Sequence, residues 1–322
     1  MYAIRFDLRT PDESRARDLY AAALDMAEWG ERNGCVAVTL SEHHASPDGY
    51  LPSPLLVAAA MAARTTTLRF TVAALVATLH DPVRVAEDIA VLDRLSGGRV
   101  SHVLALGYRP EEYALFGVPW AGRGKLLDEK LDLLVAALRG EEIDRGGRRG
   151  TVTPNAPDLV ATLAVGGGTE AAARRAGRLG LSLFAQNDDP ALETAYQEAA
   201  AHHGHDPRPV LLSDPAVPNA VFVADDVDRA WAEIGPYLVH DATMYAAWNA
   251  GDTTTASLSR GATVDELRES EGSHRIVDVA GAVELIRANG YLSMHPMCGG
   301  IPPELAWPYL ERVAAEVLPA LG

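Results

Sequence analysis

Short apolar runs of strand length alternate with helix-length segments along almost the whole chain, and this rhythm limits the possible folds more than any other feature. Residues 3–8 alternate as a strand does, and residues 14–33 carry helical spacing that Gly34 stops. Cys35–Leu40 (CVAVTL), residues 68–77 and residues 99–106 read as further strands, with helices at Pro54–Arg64 and 83–95 between them. An irregular aromatic stretch, 107–122, leads into a helix over 125–138, and residues 140–157, rich in Gly, Pro and Arg, read as an exposed connection. Strands at 162–165, 181–185, 219–223 and 291–293 then alternate with helices at Glu170–Leu179, 190–203, 226–240 and 303–321. A strand followed by a crossover helix pairs in parallel with the next strand. About eight such units predict an α/β fold, a TIM (β/α)8 barrel with insertion loops, as one domain over residues 1–322. Residues 241–273 lapse into Gly, Thr and Ser around a brief helix near Val264–Glu269, the expected lid or binding insertion.

Charge and cysteine usage narrow the function. A formal net charge of -16, with no Lys/Arg-rich run, repels nucleic acid phosphates and anionic membranes, so neither is an expected partner. Cys35 and Cys298 supply neither a disulfide framework nor a CxxC metal pattern, which fits a reducing, cytoplasmic setting. The N-terminus lacks a signal-peptide apolar segment, and no run of eighteen apolar residues occurs, so a soluble protein is expected.

In a parallel barrel the reacting groups sit just past the carboxyl ends of the strands. CVAVTL is followed by Ser41, Glu42, His43 and His44, one carboxylate and two imidazoles at such a tip. If the strand persists through them, His43 and His44 point to opposite faces, and only one enters the interior. That weighs against a metal hydrolase, which needs an inward-facing HxH pair and more ligands at later strand ends, and no metal ligand set is assigned. Gly166, Gly167 and Gly168, between a strand and a helix starting near Thr169, let backbone amides approach an anion, and the helix start adds partial positive charge. This is a phosphate-site pattern. VAALVA, residues 72–77, leaves room for a flat ring or simply packs closely. His202, His203, His205 and Asp206 read as a solvated helix end rather than a metal site.

Taken in order, SEHH (41–44), VAALVA, HDPVRVAEDIAVLDRLSGGRV (80–100), LGYRPEEYALFG (106–117), GGGTEAAARRAGRLG (166–180) and HPMCGGIPPELAW (295–307) resemble the bacterial luciferase-like family over nearly the whole chain. The resemblance implies a TIM barrel that binds flavin mononucleotide (FMN) or the deazaflavin coenzyme F420 and acts on a small organic substrate. On that basis His43 matches the family's active-site histidine, with Glu42 placed to orient it. Ala73 and Ala74 match the position of a non-proline cis peptide behind the flavin ring. Gly167, Gly168 and Thr169 match the phosphate cradle, to which Arg123 adds a charge. Tyr108 stands where the deazaflavin sugar-phosphate dehydrogenases carry an acidic residue, and the arginine that luciferases carry near Leu106 is missing. SEHH looks like the flavin monooxygenase branch and LGYRPEEYALFG like the deazaflavin branch. The expectation is a homodimeric monooxygenase using reduced FMN from a separate flavin reductase. A coenzyme F420-dependent oxidoreductase and a non-catalytic flavin-binding protein are the alternatives. Pocket walls are expected from residues 45–51, 108–120 and 241–273, whose aromatic residues favour an apolar or ring-bearing ligand.

Overall fold

The structure is a computed structural model that describes residues 1–252, 254–256, 258–259 and 261–322. Its elements in chain order are β1 (Tyr2–Phe6), α1 (Ala16–Arg32), β2 (Cys35–Leu40), α2 (Pro54–Arg64), β3 (Arg69–Val76), α3 (Pro82–Ser96), β4 (Val100–Ala105), α4 (Pro110–Leu115) and α5 (Arg123–Arg139). A small antiparallel hairpin, β5 (Ile143–Arg145) and β6 (Arg148–Gly150), precedes β7 (Leu163–Gly166), α6 (Glu170–Leu179), β8 (Ser182–Ala185), α7 (Ala191–His202) and β9 (Val210–Leu212). The chain continues with β10 (Ala220–Val223), α8 (Val227–Trp248), α9 (Val264–Glu269), β11 (His274–Val277), α10 (Val279–Asn289), β12 (Leu292–Met294) and α11 (Pro303–Arg312). None of the described helices is long and apolar enough to cross a membrane.

The chain divides into two compact units. The first holds residues 1–52, 64–70 and 214–322, and its strands run in the order β11, β10, β12, β1, β2, every pair parallel. Tyr2, Ile4 and Phe6 alternate into its core at 0%, 1% and 1% exposure, so β1 presents Arg5 on its other face. The second unit holds residues 53–63 and 71–213, with strand order β3, β4, β7, β8, β9 and parallel pairing from β4 onward. Parallel strands with covering helices are the α/β class the sequence predicts.

Helix boundaries reflect local chemistry. Asp81 caps α3 by accepting from Val83 N and Arg84 N, Pro82 occupies the first turn, and Gly97 ends the helix with φ +64°. Such a cap contributes about 1 kcal/mol.

Two sequence expectations need correction. Among the described residues ten strands follow one another in the sheet order where eight were read from the sequence, because β9 and β11 are only three and four residues long and His274 and Arg275 make β11 look polar. The helix expected over 226–240 runs on to Trp248, so the expected insertion begins eight residues late. The cause is Asp241: it lies on the buried stripe of α8 with Leu238, Ala242 and Tyr245, and a carboxylate there reads in sequence as a break. Thr253, Ser257 and Arg260, inside the expected insertion, lie outside the described residues.

Candidate active site

Within the first unit, polar residues gather past the carboxyl tips of β1, β2 and β12. β2 stops at Leu40, so strand alternation does not govern the next four residues: Ser41, Glu42, His43 and His44 are all buried, at 8%, 2%, 7% and 9% exposure. The condition under which only one imidazole would turn inward, a strand continuing through both, is therefore not met. The loop folds back on itself, with His43 N donating to Leu51 O at 3.1 Å and Leu51 N donating to Asp7 O at 2.8 Å, which ties the β2 tip to the β1 tip. Glu42 Oε1 lies 2.9 Å from His44 Nε2, so the carboxylate assigned to orient His43 holds its neighbour. His43 instead packs among rings. Its centroid is 4.7 Å from Trp248, 4.9 Å from Tyr50 and 6.3 Å from Tyr245.

That aromatic box rests on charges. Arg9, fully buried, donates from Nε to Asp7 (3.2 Å) and Asp241 (2.9 Å) and from Nη1 to Asp48 (2.5 Å). Its guanidinium carbon lies 4.7 Å from the Tyr50 ring centroid, 5.0 Å from that of Tyr245 and 4.7 Å from that of Trp248, so one cation backs all three walls of the box. Arg5 Nη2 donates to Tyr245 OH at 2.5 Å, and Tyr245 OH lies 2.7 Å from Tyr50 OH. Burial pushes the Tyr245 phenol well above its ordinary value and outweighs the opposing guanidinium of Arg5, so the phenol keeps its proton. Burial also opposes ionisation of Asp241, but the hydrogen bond from His274 and the charge of Arg9 reverse this and hold the carboxyl well below its usual range. Sequence reading missed Arg5, Asp7, Arg9 and His274, and it placed Asp48, Tyr50, Asp241, Tyr245 and Trp248 only as members of the expected pocket-wall segments 45–51 and 241–273. The available signal was DLR directly after the first strand, charged residues where a barrel strand meets its loop.

The second unit contains the glycine turn. β7 ends at Gly166, and Thr169 caps α6 by accepting from Ala172 N at 3.3 Å. Gly167 has φ +151°, and a Cβ there would lie 2.9 Å from the Ala172 Cβ, so the turn needs glycine. Gly167 N is already used by Phe184 O at 3.0 Å, and Asn187 Nδ2 donates to Gly168 O at 3.1 Å, which fixes the turn from the β8 side. The Thr169 hydroxyl accepts the cap bond and keeps its proton for a ligand. Arg123 opens α5, stacks 3.6 Å from the Trp120 ring centroid, and leaves Nε buried without a hydrogen-bond partner. Arg175 Nη2 donates to Gly124 O at 3.2 Å, so the first turn of α5 lies beside α6, the helix that the glycine turn opens. A glycine turn at a ten-residue helix, with an incompletely bonded guanidinium at the start of the adjacent helix, fits a phosphate monoester.

The Ala73–Ala74 peptide in β3 is cis. Beyond β3, Lys130 Nζ donates to Thr78 O (2.6 Å) and His80 O (2.7 Å), while Thr78 Oγ1 and Tyr113 OH both reach Leu106 O. These bonds fix the loops past β3 and β4. Gly107 (φ +78°) turns the chain there, and Tyr108 comes next at 36% exposure. His202 and His203 are exposed and His205 bonds Arg178 O, consistent with a solvated helix end.

Parallel βα units, with polar strand tips in the first unit and a glycine turn opening a helix in the second, define an α/β protein. The particular family emerges from comparison with known proteins. The luciferase-like monooxygenase family model matches residues 3–288, and the chain belongs to that family. Monooxygenase RslO1 from Streptomyces bottropensis shares the fold, with 22% identity, full coverage of both chains and a TM-score of 0.76. So does the oxygenating constituent of 3,6-diketocamphane monooxygenase from Pseudomonas putida, a complex with FMN, at 18% identity over all of this chain and 98% of that one (TM-score 0.65). The coenzyme F420-dependent tetrahydromethanopterin reductase of Methanopyrus kandleri matches at 16% identity over all of this chain and 99% of its own (TM-score 0.63). The first curated sequence relatives are 30–37% identical over 128–143 residues, only 38–44% of their own lengths.

Proposed function

We propose that residues 1–322 act as one flavin-dependent oxidoreductase domain that uses reduced FMN to oxygenate a small organic molecule. Gly167, Gly168, Thr169 and Arg123 are assigned to the cofactor phosphate, Ala73, Ala74 and Tyr108 to its ring, and His43 to the reaction. The single observation that carries this reading is the glycine turn at α6, where backbone conformation excludes a side chain and the Thr169 proton and Arg123 are available to an anion.

The bound flavin supplies the redox chemistry. The protein's part is to hold it, exclude water and handle protons. His43 is buried against three rings, so water around it is restricted and one ring nitrogen can take or return a proton. Tyr50 and Tyr245, linked by hydroxyls and anchored by Arg5, are neutral donors beside it. Glu42 acts through His44. The P. putida protein is an oxygenating constituent, and by analogy a separate flavin reductase is the expected partner here. A cytoplasmic setting, from the cysteine usage, and a homodimer, as the resemblance implies, complete the proposal.

The second reading is coenzyme F420-dependent hydride transfer, favoured by the LGYRPEEYALFG segment and by the M. kandleri structure. Anaerobic titration with reduced FMN and, separately, reduced coenzyme F420 decides between them. Saturable binding of FMN with weaker binding of the deazaflavin supports the first reading, and the reverse order overturns it.

A further inference from the structure

HPMCGG, residues 295–300, is given no role in the proposed flavin chemistry, yet the fold buries its first five residues. Leaving β12, the segment makes a single 3-10 turn, Cys298–Gly300, that presses against α8. A Cβ on Gly299 (φ +61°) would lie 2.1 Å from Tyr237 O, and one on Gly300 (φ +87°) 2.5 Å from Pro11 Cδ. Glycine alone allows this approach. It carries His295 and Cys298 up to Asp241, one turn along α8. One ligand atom from each of Asp241, His295 and Cys298 lies within 4.8 Å of the other two, and the three residues are 2%, 1% and 0% exposed.

Three features of this cluster call for a bound cation. Both ring nitrogens of His295 are buried with no hydrogen-bond partner, and its Nε2, 3.4 Å from Asp7 Oδ1, does not form a bond there. A buried imidazole with both nitrogens unbonded, set beside carboxylates, has a nitrogen lone pair available to a cation. Among guanidinium and carboxylate groups, Arg5 and Arg9 face Asp7, Asp48 and Asp241, so one negative charge is left over. The carboxylate of Asp241 is also held from outside, by Arg9 Nε at 2.9 Å and His274 Nε2 at 3.0 Å, with His274 Nδ1 on Ser259 Oγ at 2.8 Å. Such outer bonds orient a ligating carboxylate.

We propose that Asp241, His295 and Cys298 bind one thiophilic divalent cation of the zinc class, a structural site that fastens the 295–300 turn to α8. Oxygen, nitrogen and sulfur donors together select zinc over magnesium or calcium. Asp7 Oδ1, 3.4 Å from His295 Nε2, is a further donor beside the site. On binding, the Cys298 thiol releases its proton to solvent, and the dication with the thiolate cancels the leftover negative charge. Its ligand Asp241 bonds Arg9, which lies over the Tyr245 and Trp248 rings, so the ion's role is to hold α8, which carries both.

The test uses the full chain, stripped with a chelator and titrated with cobalt(II). The site predicts one equivalent bound with a thiolate-to-cobalt absorption band, displacement by zinc, and a raised thermal midpoint. Cys298→Ser should abolish the band, and His295→Gln should weaken binding by about tenfold or more. A His202→Ala, His203→Ala double variant at the exposed histidine pair should change neither. If Cys298→Ser fails to fold, the wild-type band and the His295→Gln affinity carry the test. Folded wild-type protein that binds no cobalt, that binds it without the thiolate band, or that loses the band with His202 and His203 would overturn the proposal.

Discussion

Arg9→Met removes one charge and leaves three buried carboxylates behind. Methionine keeps an apolar stem of similar length but removes the guanidinium that lies over the Tyr50, Tyr245 and Trp248 rings, so the change takes away the charge with its ring contacts. Asp7, Asp48 and Asp241 remain at 0%, 3% and 2% exposure. Asp48 keeps His240 and Ser46, and Asp241 keeps His274, so the loss is partly shared. Removing one partner from a buried ion pair costs about 3–5 kcal/mol, and that range is the predicted loss of stability. Out of a typical total of about 5–15 kcal/mol, this brings the protein near its threshold. The pH dependence has a definite sign. Burial raises Asp48 and Asp241, but their hydrogen bonds from His240 and His274, together with Arg9, bring both below the usual carboxylate value. A depressed carboxyl stabilises the fold above its unfolded value, about 3.9, and that contribution is lost as pH falls through the folded value. The gap between wild type and variant is therefore full at neutral pH and narrows below about pH 4. Urea unfolding monitored by far-UV circular dichroism at neutral and acidic pH measures it. A gap under about 1 kcal/mol at neutral pH, or one that does not narrow in acid, would refute the assignment of Arg9 as the organising charge.

Gly167→Ala forces a Cβ into a φ of +151° and against Ala172, so FMN affinity should fall by about tenfold or more while riboflavin, which lacks the phosphate, loses little. Equal losses for the two ligands would place the phosphate elsewhere. His43→Ala should lower turnover by about 100-fold or more with FMN binding kept, and full turnover in the variant would remove His43 from the mechanism. Glu31 is pushed up by partial burial but more strongly drawn down, to about 2, by the backbone N–H groups of Thr67, Leu68 and Thr66 and the Thr67 hydroxyl. Its contribution is thus present above its ordinary 4.5 and lost as pH falls toward 2. Glu31→Gln should remove this acid-dependent part, at a neutral-pH loss of about 1–3 kcal/mol; an unchanged acid limb would discard it.

The alternation of strands and helices was legible in the sequence because buried parallel strands are continuous apolar runs: Cys35–Leu40 is matched residue for residue. Glu170–Leu179 and its Thr169 cap were legible because capping is local chemistry. What sequence hid was long-range. Arg9 and Asp241 are separated by 232 positions, and the DLR at the strand tip marks charged residues there without showing that they are buried together. Asp241 even misled, suggesting the end of a helix that its buried hydrogen bonds allow to continue. Trp248 was placed in a loop for the same reason, so the aromatic wall over His43 became visible only when α8 reached it. The strand at His274–Val277 failed as a pattern because its inward histidine is bonded to Asp241, satisfied rather than apolar.

The most direct test of the central claim, a flavin-dependent oxygenase, is rapid mixing of the protein complexed with reduced FMN with air-saturated buffer, monitored by flavin absorbance. The account predicts that oxidised flavin appears later and more slowly than from free reduced FMN, and that His43→Ala shortens the delay. Reoxidation at the rate of free flavin, in a complex shown to be formed, would contradict it.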